Sequence, residues 1–568
     1  MSPVCLQPSS ACPPPKKADV PVIVRRSANY HPCVWGDHFL AYSSPDHAIP
    51  DHDTKQKILQ LKEEVKKMLL AAAHQPDQQL KLIDDLQRLG VAYHFEAEIN
   101  LALSNMNGIF SELFSTKSEC DLRMVALCFR LLRQQGYDVS SDVFNKFKNE
   151  STRKFKDCLS KDVEGLLSLY EAAHLRVHGE DILEEALTFT TSQLEHLKAD
   201  QLKNPLAAQV MNALKIPIWR SVNRAEARRY ISVYGEDDSH NAALLLFAKL
   251  DFNLLQKLHQ GELANIYRWW TKFNFKEKLP FARDRWVECY FWVLGLYFEP
   301  QYALARSITT KIFSLMIVLD DIYDVYGTLE EVTLLTDAID RLDMSGLDQL
   351  PDYMKYYYQI LLDVYAEIEE DMSKEGLPLY RVQYAKDTMK QLTRSYQYEA
   401  ECLDKGLVPT MDEYMQHGLV TASLTILGVF SFMGIGDMVT KESLDWISNF
   451  PLLIRAGCLF CRLTDDMIEL EAEKETVDTA SAVDCYMKQH GVSKEHTFSE
   501  FRKQIVHAWK DINSECLRPT AVPMTLINTA FNMVRVTYLL YQDIDGFTTA
   551  ETKTKEILTP VLVDSIPI

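Results

Sequence analysis

Three aspartates, Asp320, Asp321 and Asp324, close the run IFSLMIVLDDIYD at residues 312–324. The apolar stretch before them predicts a core helix, and at roughly 100° per residue the three carboxylates cluster on one face. Carboxylates set so close repel one another, and at a helix C-terminus they also oppose the backbone dipole. A divalent cation removes both penalties. An all-oxygen ligand set suits Mg²⁺, which keeps part of its water shell and shares carboxylates with a phosphorylated substrate. The plainer reading, a solvated acidic helix end, fits poorly with the apolar residues Met316–Leu319 on one side and Ile322 and Tyr323 within the motif.

A second acidic segment, CRLTDDMIELEAEKE at 461–475, places Asp465, Glu469 and Glu473 at i, i+4 and i+8, along one helix face. Asp466 lies about 100° round from that face. Alone, such a pattern also describes an ordinary surface helix. Two acidic helix faces across a cavity can instead hold several Mg²⁺ ions and one diphosphate between them. Basic partners stand nearby in sequence. Arg283 and Arg285 alternate in FARDRWVE, and Arg462 precedes Asp465 by one turn. Arginine grips phosphate with a planar fork, although pairing with Asp284 or Glu288 would also account for the first two. The aromatics after Arg285, among them Trp286, Phe291 and Trp292, read as core with some members free to line a pocket. An aromatic face stabilises a cation by about 0.5–2 kcal/mol.

The elements that must position these groups read as helices. The chain has 568 residues with only 20 Gly and 22 Pro, well below their usual combined share of about 12%. Ile58, Leu61, Val65, Met68 and Ala72 repeat with helical period, and EDILEEALTFTTSQLEHL at 180–197 is amphipathic. Alternating strand patterns with Gly turns are nearly lacking, so the expected class is all-α with two helical domains. The polar stretch RRYISVYGEDDSHN at 228–241 marks the expected boundary: 1–24 a flexible segment, 25–240 a first domain without acidic clusters, 241–568 the domain carrying the chemistry. Residues 418–436 carry no charge, but four Gly and several Ser or Thr dilute their hydropathy. They predict a buried central helix, broken near Thr421–Ser423, rather than a membrane span. The break would turn carbonyl dipoles toward a cationic intermediate.

Net charge of −20 argues against nucleic acid as a partner. Twelve scattered cysteines point to free thiols in a reducing compartment. The pair Cys458 and Cys461 has no second pair or nearby His to complete a zinc site and is read as core packing. The Pro-rich N-terminus lacks an apolar signal core and is Arg-free before Arg25.

Taken in order, DDIYD at 320–324, the acidic segment 465–473, RDR at 283–285, Arg25-Arg26 followed by Trp35, LRVHGEDILEEA at 175–186 and DGFTTAETKTKEILTPVLVDSIPI at the end resemble plant class I terpene synthases over essentially the whole chain. The resemblance implies a non-catalytic N-terminal relict α-barrel domain followed by an isoprenoid-synthase domain. It implies a carbon–oxygen lyase of the sesquiterpene type that cyclises farnesyl diphosphate with Mg²⁺, three ions in number, for which Mn²⁺ can substitute. It assigns Asp320, Asp321 and Asp324 to the first metal motif, with Asp320 and Asp324 the direct ligands, and Asp465, Glu469 and Glu473 to the second. Arg283, Arg285 and Arg462 match diphosphate-binding arginines, and Trp292 a pocket aromatic facing carbocations. Tyr541, Asp545 and Phe547 fall in a loop that closes the site, Ser423 at the broken helix lining it, and Arg25-Arg26 in a strand that caps it. It further implies a cytosolic monomer with no stable membrane insertion. Two departures stand out: Glu469 replaces the usual Ser or Thr of the second motif, and Glu475-Thr476-Val477 replaces a basic KRG. A geranyl diphosphate-using monoterpene synthase, a chain-elongating prenyltransferase and a non-catalytic helical scaffold are the alternatives. The sequence has no DxDD, the pattern of a proton-donating cyclase.

Overall fold

A computed structural model describes residues 25, 30–44, 47, 49, 51–115, 121–197, 205–471 and 480–568. Among them the regular structure is helical, with one isolated antiparallel bridge between Lys148 and Phe155. The His52–Ala71 helix shows how locally this is encoded. Asp51 caps it by accepting from the Thr54 amide, and Ile58, Leu61, Val65 and Leu69 form its buried stripe. Met68, expected in that stripe, packs at its margin while Leu69 takes the interior place. The 180–197 pattern becomes the Asp181–Glu195 helix.

Two large cores result. One gathers the helices between His52 and Gly235; the other gathers the helices after it together with Trp35, Phe39 and Trp219 from the first half of the chain. The polar stretch at 228–241 is mostly helix, because Asn223–Gly235 runs through it and buries Tyr230, Ile231 and Tyr234. The connection is confined to 236–241. The following helix, Ala242–Thr271, serves both cores: Leu244, Phe247 and Phe252 pack into the first, Leu255, Leu263 and Trp270 into the second. Gln256 and Gln260 on that helix donate to the carbonyls of Val561 (3.0 Å) and Leu562 (2.8 Å), and Asn253 exchanges two 2.8 Å bonds with the Ile566 backbone.

Several helical segments frame the site. Trp286–Leu296 is buried throughout and packs against Ala303–Asp321 and Met524–Leu540. Ala303–Asp321 ends in a π-helical turn, Ile322–Tyr326. Leu452–Glu471 lies on Met524–Leu540. Met411–Thr421 and Leu424–Met433 form the broken helix, with Ser423 at φ 65° between them, in the left-handed region that a side chain rarely adopts. Cys458 and Cys461 are buried free thiols, Cys461 donating to the Thr537 hydroxyl at 3.1 Å.

Candidate active site

The two acidic segments open onto one cavity of about 1030 Å³. Asp320 and Asp324 line one side, Arg462, Asp465 and Glu469 another, and Arg283 reaches in from the segment before Trp286. Glu473, Arg26 and the Glu475-Thr476-Val477 replacement lie outside the described residues.

The first motif splits by helix face: Asp320 and Asp324 line the cavity, whereas Asp321, the last residue of the α-helix before the π-turn and about 100° round from Asp320, points inward. Asp321 is fully buried; its Oδ2 accepts from the Arg283 amide at 2.7 Å and its Oδ1 pairs with Arg283 Nε at 2.9 Å. The same guanidinium reaches the Asp320 carboxylate. Burial, only partly offset by Arg283, raises the Asp321 carboxyl to about 6. Asp324 is open to the cavity yet ringed by protein. Loss of bulk water, then the charges of Asp320 and Glu399, hold its carboxyl well above the ordinary range.

On the facing side, Arg462 donates to Asp466 at 2.7 Å and also holds Asp465. Asp466 is buried and saturated, accepting further from the Tyr414 hydroxyl (2.8 Å) and the Ala482 amide (2.6 Å). It lines the cavity beside Asp465, but with its oxygens already engaged its part is to orient Arg462. Carboxylate oxygens of Asp465, Glu469 and Asp545 all lie within 4.8 Å of one another. Enclosure, then Glu469 and Asp545 against the opposing pull of Arg462, raises Asp465 well above its normal range. Three acidic groups so close, in a pocket that penalises their charge, fit a divalent cation.

The floor is aromatic. Trp292 meets Phe313 and Phe547 edge-on with centroids at 5.7 and 5.9 Å, and Phe313 stacks on Phe547 at 5.6 Å. Tyr541 lies 6.4 Å from Trp292, and burial holds its hydroxyl protonated far above its ordinary range. Phe547 is presented by a tied-down turn in which Asp545 Oδ1 accepts from the amides of Phe547 (3.0 Å) and Thr548 (2.9 Å). A Cβ on Gly546 would meet the Leu540 carbonyl oxygen at 2.6 Å, so the turn needs glycine there. Ser423 also lines the cavity, and its hydroxyl donates to the Thr421 carbonyl at 2.9 Å, occupying one of the carbonyls the break exposes.

Arg285 does not line the cavity. Its guanidinium is spent on backbone carbonyls, those of Phe547 (3.2 Å), Thr548 (2.7 Å) and His31 (3.0 Å). It ties the 545–548 turn to the N-terminal segment. Tyr30, His31 and Pro32 of that segment line the cavity, and its described residues are fastened at several points. Arg25 grips Glu331, the Tyr30 ring lies 5.0 Å from the Arg283 guanidinium, and Trp35 Nε1 donates to Glu288 at 2.9 Å.

Two site residues carry no signal in the sequence. Glu399, on the Tyr380–Asp404 helix, lines the cavity and accepts from the Thr421 hydroxyl at 2.9 Å; burial raises it to about 7. Tyr396, one turn before it, lines the same wall, and burial together with Asp320 and Asp324 holds it protonated. Only proximity across the fold marks either of them.

Comparison with known proteins agrees with this geometry. The terpene synthase N-terminal domain matches residues 34–214, and the terpene synthase family metal-binding domain matches 271–511. The chain is 54% identical to (-)-germacrene D synthase of Vitis vinifera, covering 98% of each chain. It is 50% identical to sesquiterpene synthase 2 of Thapsia garganica, covering 96% of this chain and 97% of the relative. Isoprene synthase from grey poplar leaves (Populus x canescens), in complex with three Mg²⁺ ions and dimethylallyl-S-thiolodiphosphate, superposes with a TM-score of 0.85 at 33% identity, covering 92% of this chain and 99% of that one. The chain belongs to the terpene synthase family.

Proposed function

We propose that the chain is a sesquiterpene synthase, ionising farnesyl diphosphate and cyclising the resulting carbocation. The observation that carries this is the joining of two acidic walls, two cavity-facing arginines and an aromatic floor in one cavity of about 1030 Å³, at the upper end of the range for small-molecule sites. The relatives at half identity or above include two named as sesquiterpene synthases.

Asp320 and Asp324 on one wall, and Asp465, Glu469 and Asp545 on the other, are the groups that would hold Mg²⁺, with Mn²⁺ as a substitute. Bound there, the metal supplies Lewis-acid stabilisation of the departing diphosphate, worth several kcal/mol. Arg283 and Arg462 present N–H donors to the diphosphate oxygens once their present carboxylate partners turn to the cation. The allylic C–O bond breaks heterolytically and both electrons leave with diphosphate. Trp292, Phe313 and Phe547 hold the hydrocarbon chain and face the positive charge that remains. Tyr30, His31 and Pro32, which line the cavity, help keep water from the cation until a proton passes to the released diphosphate and an alkene forms. The same reading takes residues 25–240 as a non-catalytic domain, 241–568 as the catalytic one, and the protein as a cytosolic monomer.

Purified protein incubated with Mg²⁺ and either farnesyl or geranyl diphosphate, with volatiles identified by gas chromatography–mass spectrometry, tests the proposal. Fifteen-carbon products are expected from the first substrate. Efficient turnover of geranyl diphosphate alone, or longer diphosphates on adding isopentenyl diphosphate, would refute it.

A further inference from the structure

The broken helix has two faces, and a second cavity of about 450 Å³ lies against the outer one. Residues alternate between the two hollows along the break. Leu419, Val420 and Ile426 line the second cavity, whereas Ala422, Ser423 and Leu427 line the catalytic one. One thin wall, bent at left-handed Ser423, therefore separates them.

The second cavity is built differently from the first. No carboxylate lines it, although the protein carries 80 acidic residues. Its one formal charge is Arg455, whose exposed guanidinium has no ion pair or hydrogen bond among the described residues. Ser448 Oγ is buried there without a hydrogen-bond partner, a condition native interiors rarely leave unanswered. Phe450, also in the lining, is held at φ 55°, an outlier for a bulky side chain and a local strain of the kind that gathers at ligand sites. Leu392, Met415 and Ile426 supply apolar wall.

We propose that this cavity is a regulatory site for a small amphipathic anion. An apolar chain would lie along Leu419, Val420 and Ile426, and a carboxylate or phosphate head would sit at Arg455 with Ser448 Oγ donating. A volume of about 450 Å³ lies within the ~300–1,000 Å³ of small-molecule sites. Because the ligand packs on the wall of the catalytic cavity, its binding changes turnover; this second half rests on the catalytic reading above, while binding itself does not.

Calorimetry on the full chain, with Mg²⁺ and pyrophosphate present to occupy the catalytic cavity, tests binding. Dodecanoate and dodecyl phosphate are the two anionic probes, separating a fatty-acid source from a phosphorylated one, and dodecanol is the uncharged control. One site per chain is expected for at least one anion. Arg455→Glu should weaken it at least tenfold while leaving dodecanol unaffected, and Gln416→Trp, at the cavity mouth, should abolish it without altering the circular dichroism spectrum. In the activity arm, the saturating anion should change kcat in the native chain and not in Arg455→Glu. Equal anion affinity in the native chain and Arg455→Glu, displacement by pyrophosphate, or no binding overturns the site. Binding with unchanged kcat overturns the regulatory role.

Discussion

Arg25 clasps the carboxylate of Glu331 with two hydrogen bonds of 2.8 Å each, across 306 residues of sequence, and a third bond of 2.9 Å from the same guanidinium reaches the Tyr326 carbonyl. Tyr326 is the last residue of the π-turn that carries Asp324, and Glu331 belongs to the capping box that starts the next helix. The rings of Tyr326 and Tyr353 flank the guanidinium at 4.3 and 5.0 Å. The N-terminal segment is thus anchored on the backbone that shapes the first acidic wall.

Loosening that anchor should let water reach the carbocation. Arg25→Ala and Glu331→Ala are each expected to lower kcat about tenfold, or ~1.4 kcal/mol, with the fraction of terpene alcohol among the products rising. Gas chromatography of the product mixture reads both. An unaltered alcohol fraction with normal turnover would remove the segment from the mechanism.

Asp321 acts through Arg283. It is withdrawn from the cavity and holds the arginine by both backbone and side chain. Asp321→Ala should lower kcat/KM at least ~100-fold, about 2.7 kcal/mol, with folding intact. Arg283→Ala should cost nearly as much, and the double variant little more than either, since both remove one unit. Additive losses in steady-state kinetics would show that the two act separately.

Asp545 belongs to a turn far along the chain from Asp465 and Glu469, yet the three share one carboxylate cluster. Asp545→Asn is expected to raise the Mg²⁺ concentration needed for half-maximal activity about tenfold and to reduce the thermal stabilisation given by Mg²⁺ with pyrophosphate. A melting curve and a Mg²⁺ titration check this without reference to the product. The substitution also keeps an oxygen for the Phe547 and Thr548 amides, so loss of the turn is not the expected cause.

In the N-terminal core, Glu171 is buried and accepts from the Ile218 amide at 2.8 Å; burial raises its carboxyl to about 7. A carboxyl raised on folding binds its proton more tightly in the native state. Stability is therefore greatest below the unfolded pKa, near 4.3, and falls as pH climbs through about 7. Glu171→Gln keeps an acceptor and carries no charge. It should match the native protein near pH 4.5 and exceed it by roughly 3 kcal/mol at pH 8, seen as a widening gap between denaturant midpoints. A gap that narrows with pH would contradict the assignment.

What the sequence makes legible follows from the range of the interactions. The helical class, the break at Thr421–Ser423 and the acidic faces of Asp320 and Asp465 are written in neighbours a turn apart. Arg285 is not legible in that way, because its partners are backbone carbonyls at His31, Phe547 and Thr548, which have no side-chain signature. A lone arginine beside Arg283 reads as a second phosphate ligand until those carbonyls are placed. The inward position of Asp321 follows from its 100° offset from Asp320, but only the placed Arg283 shows that this offset turns it into the protein and not toward the cavity. Glu399 and Tyr396 come from a helix with no motif, and their relevance exists only in three dimensions.

The Ala242–Thr271 helix has a consequence for how such a molecule can be altered. Its first turns belong to one core and its later turns to the other, and Asn253, Gln256 and Gln260 along its length clamp the 561–566 segment. A chimera joined anywhere between 244 and 270 would pair half a helix with a foreign packing surface, and one joined past 260 would also set those amides against another parent's 561–566 segment. Recombination between relatives is best tolerated at 236–241, where the connection is short, polar and belongs to neither interior.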